Sequence, residues 1–357
     1  MAMQSYIYLR GLRHVDHTVF CVNDGQKFYY DPQFSTRVAY SSGQQVKRSI
    51  IEALNLPFAA ITFNWEIDQK ENKANQKEPH SPCDPSYADQ LLGGYMKAES
   101  GNFTVKRRSP LSVSAMRPLH PLLGGVQMEN ITFDRTAYPE HHKVNVWVQS
   151  KGTRVKMTDE EVNKWLKDNS RNLPNRAFIQ EQKRASGLFV YDIAIDLRRL
   201  FCVSTNKLEP ELFPEVEQKL RQNGWAESQN IFGRCLVCPK EERKKIITAL
   251  AQALINWRIT SNQARTFSLM EPLAIAISDN ANQIAYAIRG ELSETTERPK
   301  AVPKIDETAK ADLYITPMAK GYIAGSIGSV DSLEQAEAKL VELMSRYDYE
   351  RQAALPA

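Results

Sequence analysis

From Leu188 to Ile195 the chain reads Leu-Phe-Val-Tyr-Asp-Ile-Ala-Ile, an alternation that puts Phe189, Tyr191, Ile193 and Ile195 on one side of a strand. So bulky an apolar face requires paired neighbours in a sheet and helices laid across it. Two amphipathic helices answer that need. In the first, Val46, Ile50 and Leu54 recur every fourth residue with Ile51 beside them, while Gln44, Lys47 and Arg48 fall elsewhere. The second starts after Pro239 and carries the stripe Ile246, Ile247, Leu250, Leu254 and Trp257. Tyr6 to Val22, Leu273 to Ser278 and Ile284 to Leu292 carry strand-like sequence. The recurrent order strand, helix, strand, strand, helix, strand predicts an α+β fold of the split βαβ, or ferredoxin-like, kind, which is also the plan of RNA-recognition modules.

Long insertions interrupt this plan. Asp68 to Asp89 is dense in Lys, Glu, Asn and Pro without an apolar period, and predicts a mobile insertion. Leu91 to Leu123 is punctuated by Gly and Pro and holds Lys97, Lys106, Arg107, Arg108 and Arg117 against the single carboxylate Glu99. Thr158 with Glu161 is a capping box that opens a short helix. Asp168 to Ser186 reads as polar and irregular, with Arg171, Arg176, Lys183 and Arg184 around Phe178 and Ile179. Ser293 to Lys310 is a charged linker, Leu313 to Ile327 has strand propensity broken by Pro317 and Gly321, and Ser332 with Gln335 caps a last helix to Tyr347.

With 357 residues the chain is long for one average domain, and a net charge of +4 permits a polyanionic partner without demanding one. Its apolar runs are far short of the roughly 20 residues that span a bilayer, so no membrane segment is expected. The odd set Cys21, Cys83, Cys202, Cys235 and Cys238, with no signal peptide before it, predicts a reduced, cytoplasmic protein.

Cys235 and Cys238 have no second Cys or His pair at zinc-finger spacing, and on a strand their odd offset points them apart, so they are read as buried small residues. His14 and His17 share that offset, and no phosphate-loop or hydrolase motif is present. No metal or other cofactor is expected. Asp24 and Asp31 flank a turn and are read as turn residues, with acid–base cleavage of RNA as the alternative. Three stretches combine cations with small hydroxyl or aromatic residues: Arg37 to Arg48, Lys106 to Arg117, and Arg171 to Arg184. The first opens a helix, where free N–H groups and the helix dipole favour an anion. Together the three suit binding of a nucleic-acid strand without reading its sequence.

The order of these motifs resembles the backbone subunit of type I CRISPR Cascade complexes, the DevR-type branch of the Cas-seven family in the RAMP superfamily. Arg37 to Arg48 is similar to the family's Arg-x-x-x-Ser-Ser-Gln-x-x-Lys-Arg element, with Gly43 intervening before Gln44. Asp89-Gln-Leu-Leu-Gly-Gly-Tyr-Met96 and Arg107-Arg-Ser-Pro-Leu-Ser-Val-Ser114 resemble two further elements of the branch. Ser186 to Asp196 is similar to the strand after the family's thumb, and Gln263-Ala-Arg-Thr-Phe267 to the element after its second helix. The resemblance spans roughly residues 5 to 292.

It implies an RRM-like palm in two parts, 1–56 and 187–292, a finger insertion at 57–135, a web and thumb loop at 136–186, and a linker with a terminal helix at 293–357. By the same resemblance, Arg37, Ser41, Ser42, Gln44, Lys47 and Arg48 grip the guide from the palm and Lys106, Arg107 and Arg108 from the finger. In the thumb, at about Asn172 to Ala185, Phe178 and Ile179 are wedge candidates and Lys183 and Arg184 phosphate partners; Arg265 joins the set through its motif. The implied partners are a CRISPR guide RNA, target DNA through guide pairing, further copies of the chain head to tail, and other Cascade subunits, with no membrane. No catalysis is implied in this branch; a metal-dependent endoribonuclease of a type III-like effector, using Asp31 or Asp24, is the alternative.

Overall fold

The computed structural model describes residues 5–20, 26–98, 104–136, 138–150, 152–259, 267–293 and 298–352. The chain forms two compact units, a larger one of residues 1–126 and 185–357 and a smaller one of residues 127–184. It is an α+β protein. The main elements are β1 (Tyr6–Thr18), α1 (Gly43–Glu52), β2 (Gly124–Asp134), β3 (Arg176–Asp196), α2 (Lys240–Asn256), β4 (Glu271–Ser278), β5 (Asp312–Ile315) and α3 (Ser332–Arg346).

In the main sheet the strand order is β2-β3-β1-β4-β5, and β1 runs antiparallel to both β3 and β4. The long central strands are covered on both faces. Phe189, Tyr191, Ile193 and Ile195 join Ile7, Leu9 and the stripes of α1 and α2 in the larger core. Leu12, Leu188 and Val190 face the other way, onto a second core with Leu273, Ile284, Ile288 and Ile315. All five residues of the α2 stripe are buried, and so are Val46, Ile50, Ile51 and Leu54 of the α1 stripe.

Arg13 is the polar exception inside this core. It lies between Tyr191 and Trp257, with its guanidinium 5.4 and 4.5 Å from the ring centroids. Its two terminal nitrogens donate to the carbonyls of Ile255, in the last turn of α2, and Met270, one residue before β4. A cation at a helix C-terminus meets the negative end of the dipole, so this side chain fastens β1 to the end of α2. Tyr191 can lie there only because β1 has Gly11 opposite it, where a Cβ would sit 2.3 Å from the ring.

Several expectations are corrected. Arg176 to Ser186 is not an irregular loop, because β3 is one strand of 21 residues from Arg176 to Asp196. Ile284 to Leu292 is not one strand; the helix Ala281–Ala287 precedes the strand Ile288–Ser293, and Asn280 caps that helix. Within Leu313 to Ile327 the expected break is present: β5 ends at Ile315 and a 3₁₀ turn follows at Pro317–Gly321, where proline removes a donor. The polar insertion holds a hairpin of Trp65–Asp68 and Lys73–Gln76. Cys235 and Cys238 are buried, and burial pushes the Cys238 thiol up to about 12. Among the described residues no helix is long and apolar enough to cross a membrane.

In the smaller unit, Trp147–Ser150 pairs with Thr153–Lys156 in a hairpin, and the helix Asp159–Asp168 begins with the expected capping box of Thr158 and Glu161. Arg176 is ion-paired to Asp134 at 2.8 Å, and Arg135 donates to the carbonyl of Leu173.

Gly11→Ala should overpack the Tyr191 contact and lower the unfolding free energy by about 1–3 kcal/mol. Urea denaturation checks this, with partial recovery expected when Tyr191→Leu is added; an unchanged midpoint in Gly11→Ala would refute the packing assignment.

Candidate nucleic-acid interface

The larger unit brings two of the three basic segments into contact, although they are far apart in the chain. Ser41 and Met116 exchange both backbone hydrogen bonds, at 2.9 and 3.0 Å. The short strand Thr36–Ala39, which carries Arg37, lies against Arg117–Pro118. Gly43, the first residue of α1, backs onto Val113 so closely that a Cβ would come 2.5 Å from the carbonyl oxygen. Ser42 caps α1 by accepting from the Gln45 N–H at 3.3 Å.

Around this helix start the cations differ in what they can do. Arg37 is exposed, with its guanidinium 5.3 Å from the Phe28 ring centroid. Gln44 is exposed, and so is Arg48, although Arg48 Nε is paired to Glu52 one turn on at 2.6 Å. Lys47 points elsewhere: its ammonium donates to the Gly93 carbonyl at 2.9 Å, and burial lowers it to about 8. Ser41 is buried and its hydroxyl has no hydrogen-bond partner, so it contributes backbone pairing where a phosphate contact was expected. Arg117 reaches Asp192 at 3.6 Å, a carboxylate that Arg10 already grips with two nitrogens at 2.6 and 3.1 Å.

Sequence reading missed an aromatic component of this surface. Tyr29 and Tyr30 are exposed on the strand Phe28–Asp31, and Tyr30 lies directly opposite Arg37. The signal was present in the aromatic run Phe28-Tyr-Tyr30, whose pairing with the Arg37 segment was not foreseen. The Asp31 carboxylate accepts the Phe34 N–H at 3.0 Å and so closes the turn that follows its strand.

Lys106, Arg107 and Arg108 divide by strand parity. Lys106 and Arg108 are exposed and line an open cavity of 780 Å³ with Arg199, Asn206 and Phe232. Arg199 sits 3.6 Å from the Phe232 ring centroid; it too went unremarked in the sequence. Arg107, between them in sequence, is interior. Its side chain is 1% exposed and donates to the Leu91, Cys202 and Arg199 carbonyls and to the Glu211 carboxylate. With those partners it is a structural residue and has no face for a nucleic-acid strand.

In the smaller unit Phe178 is 54% exposed on β3. Ile179 lies in the same strand, with its side chain outside the described residues, and Arg265 and Asp24 lie outside them altogether. Lys183 is half-buried, and Arg184 is 7% exposed and donates to the Lys183 carbonyl, so Arg184 is not the surface phosphate partner expected of it.

No protein-family model matches the chain, and no curated protein matches it. Among solved structures it is similar to a chain of a "CRISPR RNA-guided surveillance complex, pre-nicking", with 10% identity and a TM-score of 0.43, covering 94% of this chain and 88% of that one. A chain of a "CRISPR RNA-guided surveillance complex" gives 10% identity and a TM-score of 0.39, covering 94% and 99%. At TM-scores below 0.5 the shared arrangement does not fix a common fold.

Arg107→Ala should lower the unfolding free energy by about 3–5 kcal/mol, because it removes the closest cation from the buried Glu211 carboxylate and the donor from three carbonyls, whereas Arg108→Ala should stay within about 0.5 kcal/mol of wild type. Chemical denaturation of the two neighbours decides it; equal losses would reject the division by parity. For Lys47 the sign follows from its lowered pKa. Between pH 8 and its ordinary 10.5 the unfolded chain holds a proton that the folded one has released. Stability relative to Lys47→Met should therefore rise with pH across that window, and a flat difference curve would place Lys47 in solvent.

Proposed function

We propose that this chain is the non-catalytic, guide-binding backbone subunit of a type I CRISPR Cascade complex, of the DevR-type branch, polymerising head to tail along one CRISPR RNA and presenting it for pairing with target DNA. The observation that carries the reading is the junction at the start of α1, where the Arg37–Arg48 and Lys106–Arg117 segments meet through Ser41 and Met116. Arg37 and Arg117, the first-turn N–H groups of α1 and the exposed Tyr29 and Tyr30 form one basic, aromatic surface. Such a surface grips phosphates and stacks bases without reading sequence, which suits a subunit that must hold any guide.

The scaffold supports the same reading. Chain order β1-α1-β2-β3-α2-β4 with spatial order β2-β3-β1-β4 is the connectivity of the split βαβ plan, so the main sheet serves as an RRM-like palm. The segment between α1 and β2 is the finger insertion, and the smaller unit contains the thumb. A contact repeated head to tail without closure builds a helical filament, and sequence then resides in the guide, as in other RNA-guided systems. The bond from the Phe34 N–H gives Asp31 a structural role that is consistent with a scaffold.

The purified chain should bind single-stranded RNA, with log affinity falling against log salt by about 0.7 per phosphate neutralised. Arg37→Ala with Arg48→Ala should weaken binding uniformly across sequences and flatten that slope by about 1.4, twice the single-contact value. A wild-type chain indifferent to RNA at low salt, or purified from its native complex without a discrete RNA, would overturn the proposal.

A further inference from the structure

We propose that the hairpin of Trp147–Ser150 and Thr153–Lys156 is a stacking platform for an unpaired base of single-stranded nucleic acid, a contact additional to the one at the start of α1. Its register places Trp147 opposite Lys156 and Gln149 opposite Arg154, so these four side chains share one face, while Val148 and Val155 share the other. The Arg154 guanidinium lies over the indole, 4.9 Å from its centroid, and Trp147 keeps 45% of its surface in solvent. Gln149, Arg154 and Lys156 are exposed as well.

Charge names the occupant. From Trp147 to Lys156 the chain carries Lys151, Arg154 and Lys156 and no carboxylate. Protein interfaces centre on apolar, charge-depleted patches, whereas an exposed indole with Arg154 over it and Lys156 opposite it has the composition of a strand-binding surface. The free part of the indole accepts a base, because every base has a π-face. Arg154 polarises the ring from its own side and, with Lys156, neutralises the flanking phosphates. Gln149 adds a donor and an acceptor that do not choose among bases.

The proposal rests on the reading that this chain binds RNA, and its test separates the two. Binding of the full chain to labelled oligouridylate, to oligothymidylate and to an abasic oligonucleotide of the same length is measured for wild type, Trp147→Ala and Trp147→Phe. Trp147→Ala should weaken oligouridylate binding by about tenfold, the scale of one lost base stack, and Trp147→Phe should restore most of it. Abasic binding should be unchanged in both variants, and circular dichroism confirms that they are folded. The same loss on oligothymidylate assigns a site that takes RNA or DNA, and loss on oligouridylate alone assigns it to RNA; either supports the platform. Unchanged oligouridylate binding in Trp147→Ala, an equal loss on the abasic strand, or loss of self-association without any base dependence overturns it. A wild-type chain that binds none of the three strands overturns both readings, whereas one that binds them and ignores Trp147 overturns only the platform.

Discussion

The interior of the larger unit depends on one cation. Arg13 fills the space between Tyr191 and Trp257 and satisfies carbonyls at the end of α2 and just before β4, so three elements share a single buried side chain. Such a charge is tolerable only where carbonyls and aromatic faces replace its water. Once it is in place, the direction in which α2 leaves the sheet is set, and Tyr191 is held over Gly11 with its hydroxyl toward the Leu254 carbonyl at 3.3 Å. Arg258, close by, is pushed down to about 10 by burial and by the charge of Arg13, a sign of how full this corner is.

Arg107 repeats the device in another part of the larger unit. It ties the backbone near Leu91, Arg199 and Cys202 to Glu211 and thereby fixes the small sheet of Cys202–Ser204, Gly233–Val237 and Ala226–Asn230 beside Thr104–Arg107. The cations at the rim of the 780 Å³ cavity, Lys106, Arg108 and Arg199, are displayed on a frame that buried cations hold together. A basic composition in this protein therefore serves two physical ends, interior hydrogen bonding and surface charge.

How much of this was legible in the sequence follows from where side-chain pattern carries information. Phe189, Tyr191, Ile193 and Ile195, and the α2 stripe from Ile246 to Trp257, are buried as their periods require, because apolar burial imposes the period of the element. The first half of β3 was illegible for the opposite reason. Arg176, Ala177 and Phe178 are exposed, so the strand there is held by backbone pairing beside β2, which places no demand on side-chain alternation. Among the candidate site residues, Arg37, Gln44, Arg48, Lys106 and Arg108 lie at the surface as their composition suggested, but nothing in composition marked Lys47 or Arg107 as different. Their fates were decided by partners far away in the chain, the Gly93 carbonyl and Glu211. Tyr29 and Tyr30 were missed because a cross-strand neighbour becomes visible only when the register is known.

The contrast between Arg107 and Arg108 sets what each position tolerates: at 107 the planar fork of guanidinium donors meets three carbonyls and a carboxylate that an ammonium cannot serve together, whereas at 108 any cation supplies the same surface field. An exchange of arginine for lysine is close to silent at one position and disruptive at the next. A single-residue insertion between Val105 and Lys106 would carry Lys106 to the buried face and turn Arg107, the carbonyls' partner, outward. This short strand therefore tolerates change in what it displays and very little change in its length.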